Sequence, residues 1–259
     1  LTYFVGGNIT TINNKVKDFN GLPYLYGGSA EFRTISKVGG PLNAYYGHKV
    51  VGVYQNQEEI NNDPIAVANG LNPGDFKYLD VNGDKKINDE DRLILGSYIP
   101  DFNYGLNAGL TYKNFDFSVV MQGVYGNEIV NQKRGLRRWQ GDINYDADMV
   151  VNRWTGEGST NKYPSAKGTV NPWNISKFNS FFIEDGSYFR LQNIQAAYTL
   201  PRKERGSFTM PTIRISLTAE RPYTYFTSNG FTPEVGGIGF DRQVYPLAAT
   251  YTIGLRIVY

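Results

Sequence analysis

Residues 250–259, TYTIGLRIVY, alternate along their whole length. Tyr251, Ile253, Leu255, Ile257 and Tyr259 fall on one face of a strand, and Thr250, Thr252, Gly254 and Arg256 on the other. An apolar face with tyrosines at both ends, backed by a face that carries an arginine, is what a strand between lipid and a watery lumen requires. The pattern predicts that this stretch forms part of the wall of an outer-membrane β-barrel.

The same period recurs upstream. In 101–112, Phe102, Tyr104, Leu106, Ala108, Leu110 and Tyr112 alternate with Asp101, Asn103, Gly105, Asn107, Gly109 and Thr111. Lys113 and Asn114 make a tight turn, after which Phe115, Phe117, Val119 and Met121 alternate with Asp116, Ser118 and Gln122, so the two runs read as a hairpin. Residues 211–225 repeat the theme through Ile213, Ile215, Leu217 and Ala219. Between 187 and 200 the phase slips: Phe189 and Leu191 fit one register and Ile194, Ala196, Tyr198 and Leu200 the other, which predicts a bulge near Gln192 and Asn193. Weaker strand patterns cover 2–13, 29–38 and 44–54, for about eight strands in all. Tyr104 to Tyr112 and Tyr251 to Tyr259 each span about 27 Å of strand, or about 20 Å along the membrane normal at a tilt of about 40°. That spacing suits two aromatic girdles on either side of a hydrocarbon layer.

Composition narrows the alternatives. The chain has 259 residues, a net charge of +2 and a hydrophobic fraction of 41%, with 20 Tyr and 15 Phe. No run approaches the 18 or so apolar residues that a helical span needs. The near-neutral balance carries no basic footprint for nucleic acid. Without cysteine there is no thiolate metal site or disulfide framework. His48 is the single histidine, and its setting in YYGHKVVGVY offers no nucleophile, so a hydrolase triad has no base and an outer-membrane lipase is disfavoured. A soluble, calcium-stabilised β-sandwich that binds carbohydrate remains the alternative to the barrel.

Connection lengths separate the two edges of the predicted sheet. The turn at 113–114 and the link near 201–211 are short, whereas 55–100, 126–186 and 226–246 are long, and short and long alternate. Barrels of the outer membrane have short periplasmic turns and longer outside loops, so all three long segments are expected at the cell surface.

One of those loops carries a candidate ion site. In DVNGDKKINDED, residues 80–91, oxygen donors from Asp80, Asn82, Asp84, Asn88 and Asp91 stand at positions 1, 3, 5, 9 and 12, with the Lys86 carbonyl at position 7. Hard cations take such oxygen-rich sets, so structural Ca2+, or Mg2+, is expected here. The loop resembles an EF-hand or dockerin loop with two departures: Lys85 stands where glycine is usual, and Asp91 where glutamate is usual. Trp139, Trp154 and Trp173, in the long loops, are candidate ligand- or partner-binding residues because sugars stack on aromatic faces. Lys133, Arg134, Arg137 and Arg138 form a basic cluster beside Trp139, suited to lipopolysaccharide phosphates or a partner protein.

Several longer motifs, in order, resemble one family. They are residues 72–129 (NPGDFKYLDVNGDKKINDEDRLILGSYIPDFNYGLNAGLTYKNFDFSVVMQGVYGNEI), NRWTGEG at 152–158, GSYFRLQNIQAAYTLP at 186–201, and FTPEVGG followed by YPLAATYTIGLRIVY. They look like the C-terminal part of the SusC-like TonB-dependent outer-membrane transporters of the Bacteroidetes. A departure falls at Arg221-Pro222-Tyr223, where the family usually continues Asn-Leu-Phe. The resemblance implies a 22-stranded barrel closed by an N-terminal plug that this chain lacks, so residues 1–259 would be one portion of the wall, paired with the remaining strands. It further implies a SusD-like surface lipoprotein as a lid, the TonB complex as the energy source, and import of a glycan or oligopeptide without catalysis. Tyr259, a terminal aromatic, would serve as the barrel's assembly signal.

Overall fold

The computed structural model describes residues 1–136, 147–166, 172–201, 204–205, 208–242 and 244–259. Among them, one antiparallel sheet holds six long strands in chain order: β1 (Thr2–Thr11), β2 (Phe102–Tyr112), β3 (Phe115–Tyr125), β4 (Tyr188–Thr199), β5 (Thr212–Phe226) and β6 (Thr250–Val258). The predicted hairpin is present, with Tyr112 opposite Phe115 and Lys113 in the left-handed region at φ 54°.

Register turns the alternation of single strands into faces of the whole sheet. Side chains directly opposite one another share a face. One row therefore runs Tyr3, Leu110, Phe117, Ala196, Leu217, Ile253, and the next Val5, Ala108, Val119, Ile194, Ala219, Tyr251. This apolar face is open: Ile253 is 79% and Leu217 54% exposed. A sandwich would bury such a face beneath a second sheet, and among the described residues none covers it. The opposite face runs Phe4, Gly109, Ser118, Gln195, Thr218, Thr252 and holds the Arg214–Asp116 ion pair. Where an aromatic ring meets a glycine across strands, the ring occupies the missing side chain's place. A Cβ on Gly109 would lie 2.2 Å from the Phe4 ring, and one on Gly123 would lie 2.2 Å from that of Tyr104.

The bulge falls where the phase slip predicts it. Pairing of β4 with both neighbours shifts between Leu191 and Asn193, so Gln192 is the extra residue and Leu191 and Ile194 reach the same face. On β5 the same irregularity takes up Arg221, at φ 50°, and Pro222, which has no N–H to give a ladder. The Arg221-Pro222 departure thus sits at the one place on β5 where regular pairing is already interrupted, and the strand resumes with Tyr223 opposite Leu191.

The strand count and the first loop need correction. The stretches 29–38 and 44–54 lie outside the wall. They form strands of four or five residues in a separate sheet, 24–28, 33–37, 44–48 and 92–96, and in a ribbon of 50–53 with 76–78. Five residues reach about 16 Å, short of what a tilted wall strand needs. Nor do they alternate: Thr34, Ile35 and Ser36 are buried in succession. The connection from β1 to β2 therefore runs from 12 to 101 rather than 55 to 100. With 126–187 and 227–249 it leaves the same edge of the sheet, because the intervening turns, at 113–114 and 200–211, lie on the other edge.

These three connections fold together into a cap with its own core. Val53, Tyr54, Ile60, Ala66, Leu71, Phe76 and Tyr78 of the first pack with Trp173 of the second. Phe32 and Tyr45 pack with Val130, Phe178 and Phe182, and Phe240 of the third connection joins them. Strand 128–131 pairs antiparallel with 183–185 and parallel with 240–241, linking two of the connections by backbone hydrogen bonds.

Candidate functional site

The oxygen-rich loop is a chain of side-chain-capped turns. Asp80 accepts the N–H groups of Gly83 (2.8 Å) and Lys85 (2.9 Å), Asn82 that of Asp84 (3.1 Å), Asp84 that of Lys86 (2.9 Å), and Asn88 that of Glu90 (2.7 Å). Lys85 sits at φ 61°, the left-handed conformation that glycine ordinarily supplies at this position. Asp91, fully buried, closes the loop by accepting from Val81 (2.8 Å) and Asn88 (2.9 Å), and has no ion-pair partner among the described residues. No group of three or more acidic or histidine side chains converges as a metal cluster among the described residues. The donors present are of the hard-oxygen kind, and each oxygen that accepts one N–H retains a second lone pair.

His48 supports this loop from beneath. Its ring is 2% exposed, and Nε2 lies 2.8 Å from the Asn88 carbonyl, so Nε2 carries the proton and donates. Burial depresses the imidazole pKa below its ordinary 6.5; the Asn88 carbonyl opposes that shift, and the positive charges of Arg92 and Lys177 add to it. The histidine is a neutral strut of the cap.

The tryptophans serve the cap core. Trp173 is buried, and its indole N–H donates to the Phe76 carbonyl at 2.7 Å. Trp154, half-buried against the same cluster, donates to Gln55 Oε1 at 3.3 Å. Trp139, with Arg137 and Arg138 of the basic cluster, lies outside the described residues. The other two members of that cluster are ion-paired inside the cap. Lys133 meets Asp241 at 2.8 Å and the Asn229 carbonyl at 2.8 Å, while Arg134 is clamped by Asp148 and Glu184. Lys133 ties the second connection to the third, and Arg134 braces the second connection within itself.

Sequence reading missed the polar seam between the first two connections. Asn174 accepts the Phe76 N–H at 2.7 Å and donates to Asp75 at 3.0 Å; Asn179 donates to the Tyr78 hydroxyl at 3.0 Å and to the Asn174 carbonyl at 3.0 Å. Both asparagines are fully buried. Their partners stand about a hundred residues away in sequence, so no local pattern announces them. Where cap meets wall, Arg190 of β4 bonds Thr224 of β5 at 3.0 Å and Glu234 of the third connection at 2.7 Å.

The three connections line a cavity of about 700 Å³ that is open on one side, its walls including Arg134, Asp148, Tyr163, Phe181, Glu184 and Ser228. Tyr259, at the opposite end of the molecule, is 98% exposed just past the end of β6.

A one-sided apolar sheet, polar on its other face and with all its long connections gathered into one cap, is a segment of a transmembrane β-barrel wall with its outside loops. No family model matches the chain. The TonB-dependent receptor P26 of Formosa agariphila is 31% identical over 275 residues, a match that covers 97% of this chain and 26% of that protein. The TonB-dependent receptor SusC of Bacteroides thetaiotaomicron is 25% identical over 233 residues, covering 86% and 20%. The solved structure of the RagAB peptide transporter superposes with a TM-score of 0.73 at 20% identity, covering 99% of this chain and 27% of that one, a likeness of fold. The chain spans between 19% and 26% of the length of the curated relatives it matches. It belongs with the SusC-like TonB-dependent receptors.

Proposed function

We propose that this chain works as part of a TonB-dependent importer in the bacterial outer membrane. The wall strands pair with the remaining strands of the complete barrel, as their open edges require in lipid. The capped side faces the medium. There a SusD-like lipoprotein rests on the loops and a nutrient, glycan or oligopeptide, is seated above the plug; the TonB complex then opens the path. The observation that carries this reading is the joining of two unlike structures in one chain: an apolar face spanning all six strands, and a cap packed from every long connection on one edge. A catalyst reading finds no support in the cap, where the single histidine is buried beneath a turn. The test is uptake by cells whose only importer is the complete transporter, offered radiolabelled oligopeptides and maltooligosaccharides. Accumulation that vanishes when TonB is deleted supports the reading; equal accumulation with and without TonB overturns it.

Within that function, Asp80, Asn82, Asp84, Asn88, Asp91 and the Lys86 carbonyl would hold structural calcium, or magnesium. The cation would offset the buried charge of Asp91 and brace the turn. Calorimetric titration of the chelator-treated transporter with CaCl2 tests this, and Asp84→Ala should weaken binding while leaving barrel assembly intact. Tyr259 would act as the handle for insertion, and Trp139 remains a candidate contact to ligand or lid.

A further inference from the structure

The cavity in the cap is built for more than packing. Its volume of about 700 Å³ falls in the range of roughly 300–1,000 Å³ typical of small-ligand sites. Most of its charged lining is already satisfied. Asp148 holds Arg134 and also accepts from Asn229 Nδ2 at 2.9 Å and the Tyr163 hydroxyl at 3.3 Å. Glu184 meets Arg134 at 3.1 Å and accepts from Asn131 Nδ2 at 2.9 Å and the Asn229 N–H at 2.7 Å.

Two lining groups stand apart from this network. Ser228 is only 8% exposed, and its hydroxyl has no hydrogen-bond partner among the described residues. A buried hydroxyl left unmatched forfeits the hydrogen bond it would make to water, so its persistence points to a partner that the protein does not supply. Asp185, at the open side, accepts the Ser187 N–H at 2.8 Å and has no cation paired with it among the described residues. It also stands opposite a second carboxylate, Glu128, in the pairing of 128–131 with 183–185.

The charge of the lining selects the ligand. Arg134 and Lys162 face Asp148, Glu184 and Asp185, which leaves one negative charge in excess. An anion would be repelled, whereas a cationic ligand would gain at Asp185 an ion pair that a neutral sugar cannot make. We infer that this cavity binds a polar ligand bearing a primary ammonium group, with the ammonium at Asp185 and a ligand carbonyl or hydroxyl at Ser228. A peptide amino terminus and an amino sugar both supply that chemistry.

The inference rests on the import reading only in treating the ligand as cargo. Binding is measured on the purified transporter without TonB, so failure here leaves the uptake test standing. The complete transporter, with its lipoprotein in detergent, is titrated calorimetrically with tri-alanine and its N-acetylated form, and with the glucosamine trimer and its N-acetylated form. At least one free amine should bind about tenfold more tightly than its acetylated partner, and which one does so identifies the source. Asp185→Asn should abolish that preference. Ser228→Ala should weaken the preferred amine several-fold, with a ligand-free melting temperature equal to or above that of the wild type. Equal affinity for free and acetylated forms overturns the assignment, as does absence of binding by both amines at millimolar concentration or an unchanged preference in Asp185→Asn.

Discussion

In the wall, Leu217 stands opposite Ile253 and Leu110 opposite Phe117, all turned outward, while their strand neighbours turn to the polar face. In the cap, Thr34, Ile35 and Ser36 are buried one after another, and a lysine lies buried against an aspartate. The same kind of secondary structure therefore serves two solvents. A wall strand needs only its own alternation and a neighbour in register, because lipid covers one face and the lumen the other. The inner cap strands, 33–37 and 44–48, are buried without regard to face, and must match partners from elsewhere in the chain. Stability should accordingly be local and face-dependent in the wall, and cooperative across connections in the cap.

The largest effect is expected where the cap buries charge. Lys133→Met removes the cation that meets Asp241, 2% exposed, at 2.8 Å and should cost up to about 3–5 kcal/mol, whereas adding Asp241→Leu should recover much of that loss. Hydrogen exchange of the complete transporter locates the damage. Residues 227–241 and 128–131 should exchange faster in the single variant while the six wall strands keep wild-type protection. Loss of protection throughout the wall would mean that cap and wall are one cooperative unit.

Face dependence is the matching test of the wall. Ile215→Arg, on the apolar face opposite Leu255, should destabilise the barrel by about 2–4 kcal/mol, and Ser216→Arg, one residue on, much less. Denaturant titrations in lipid vesicles give both numbers, and equal costs would remove the lipid-facing assignment.

The contrast between the regions also explains what the sequence disclosed. Period-two alternation named five of the six wall strands and clearly placed the slip at Gln192, because wall strands answer to a local rule. The first, Thr2–Thr11, was weaker: its outward row is interrupted by Gly7, opposite Leu106. The cap was misread in its strands since 33–37 and 44–48 carry strand-like residues without alternation. Trp154 and Trp173 read as ligand- or partner-binding aromatics of the long loops, yet their partners Gln55 and Phe76 lie 99 and 97 residues away. No spacing rule reaches that far. The oxygen-rich loop was legible because its turns are closed by side chains two to five residues off, and Lys85 could be picked out as the strained position from its place in the series.

A pH experiment separates the regions more gently. His48 is held neutral, with its pKa below the ordinary 6.5 chiefly through burial. The unfolded cap therefore binds more protons than the folded one as pH falls below about 6.5, and cap stability declines there until the folded pKa is passed. For one proton the slope is at most about 1.4 kcal/mol per pH unit. Protection factors at residues 80–91, exchange rates normalised to the intrinsic rate at each pH, should fall between pH 7.5 and 5.5, and His48→Gln should flatten that dependence. The same fall in the histidine-free variant would assign the effect to other groups.

The smallest effect is the most informative about the ion. Lys85 holds φ 61° at the sixth position of the loop, where an L side chain costs about 1–2 kcal/mol relative to glycine. Glycine relieves that strain but returns entropy to the unfolded chain, so Lys85→Gly should gain about 0.5–1 kcal/mol. The gain arises in the turn itself, where the Lys85 N–H donates to Asp80 at 2.9 Å. It should therefore appear as slower exchange of residues 80–86, with the wall unchanged. If the loop holds calcium, relieving the turn and removing a positive charge next to Asp84 should both tighten the ion. The wild-type and Lys85→Gly proteins should then differ more in CaCl2 than in chelator. A gain of the same size in both solutions would show that the turn is braced by its own hydrogen bonds, and that the cap owes nothing to a cation at this point.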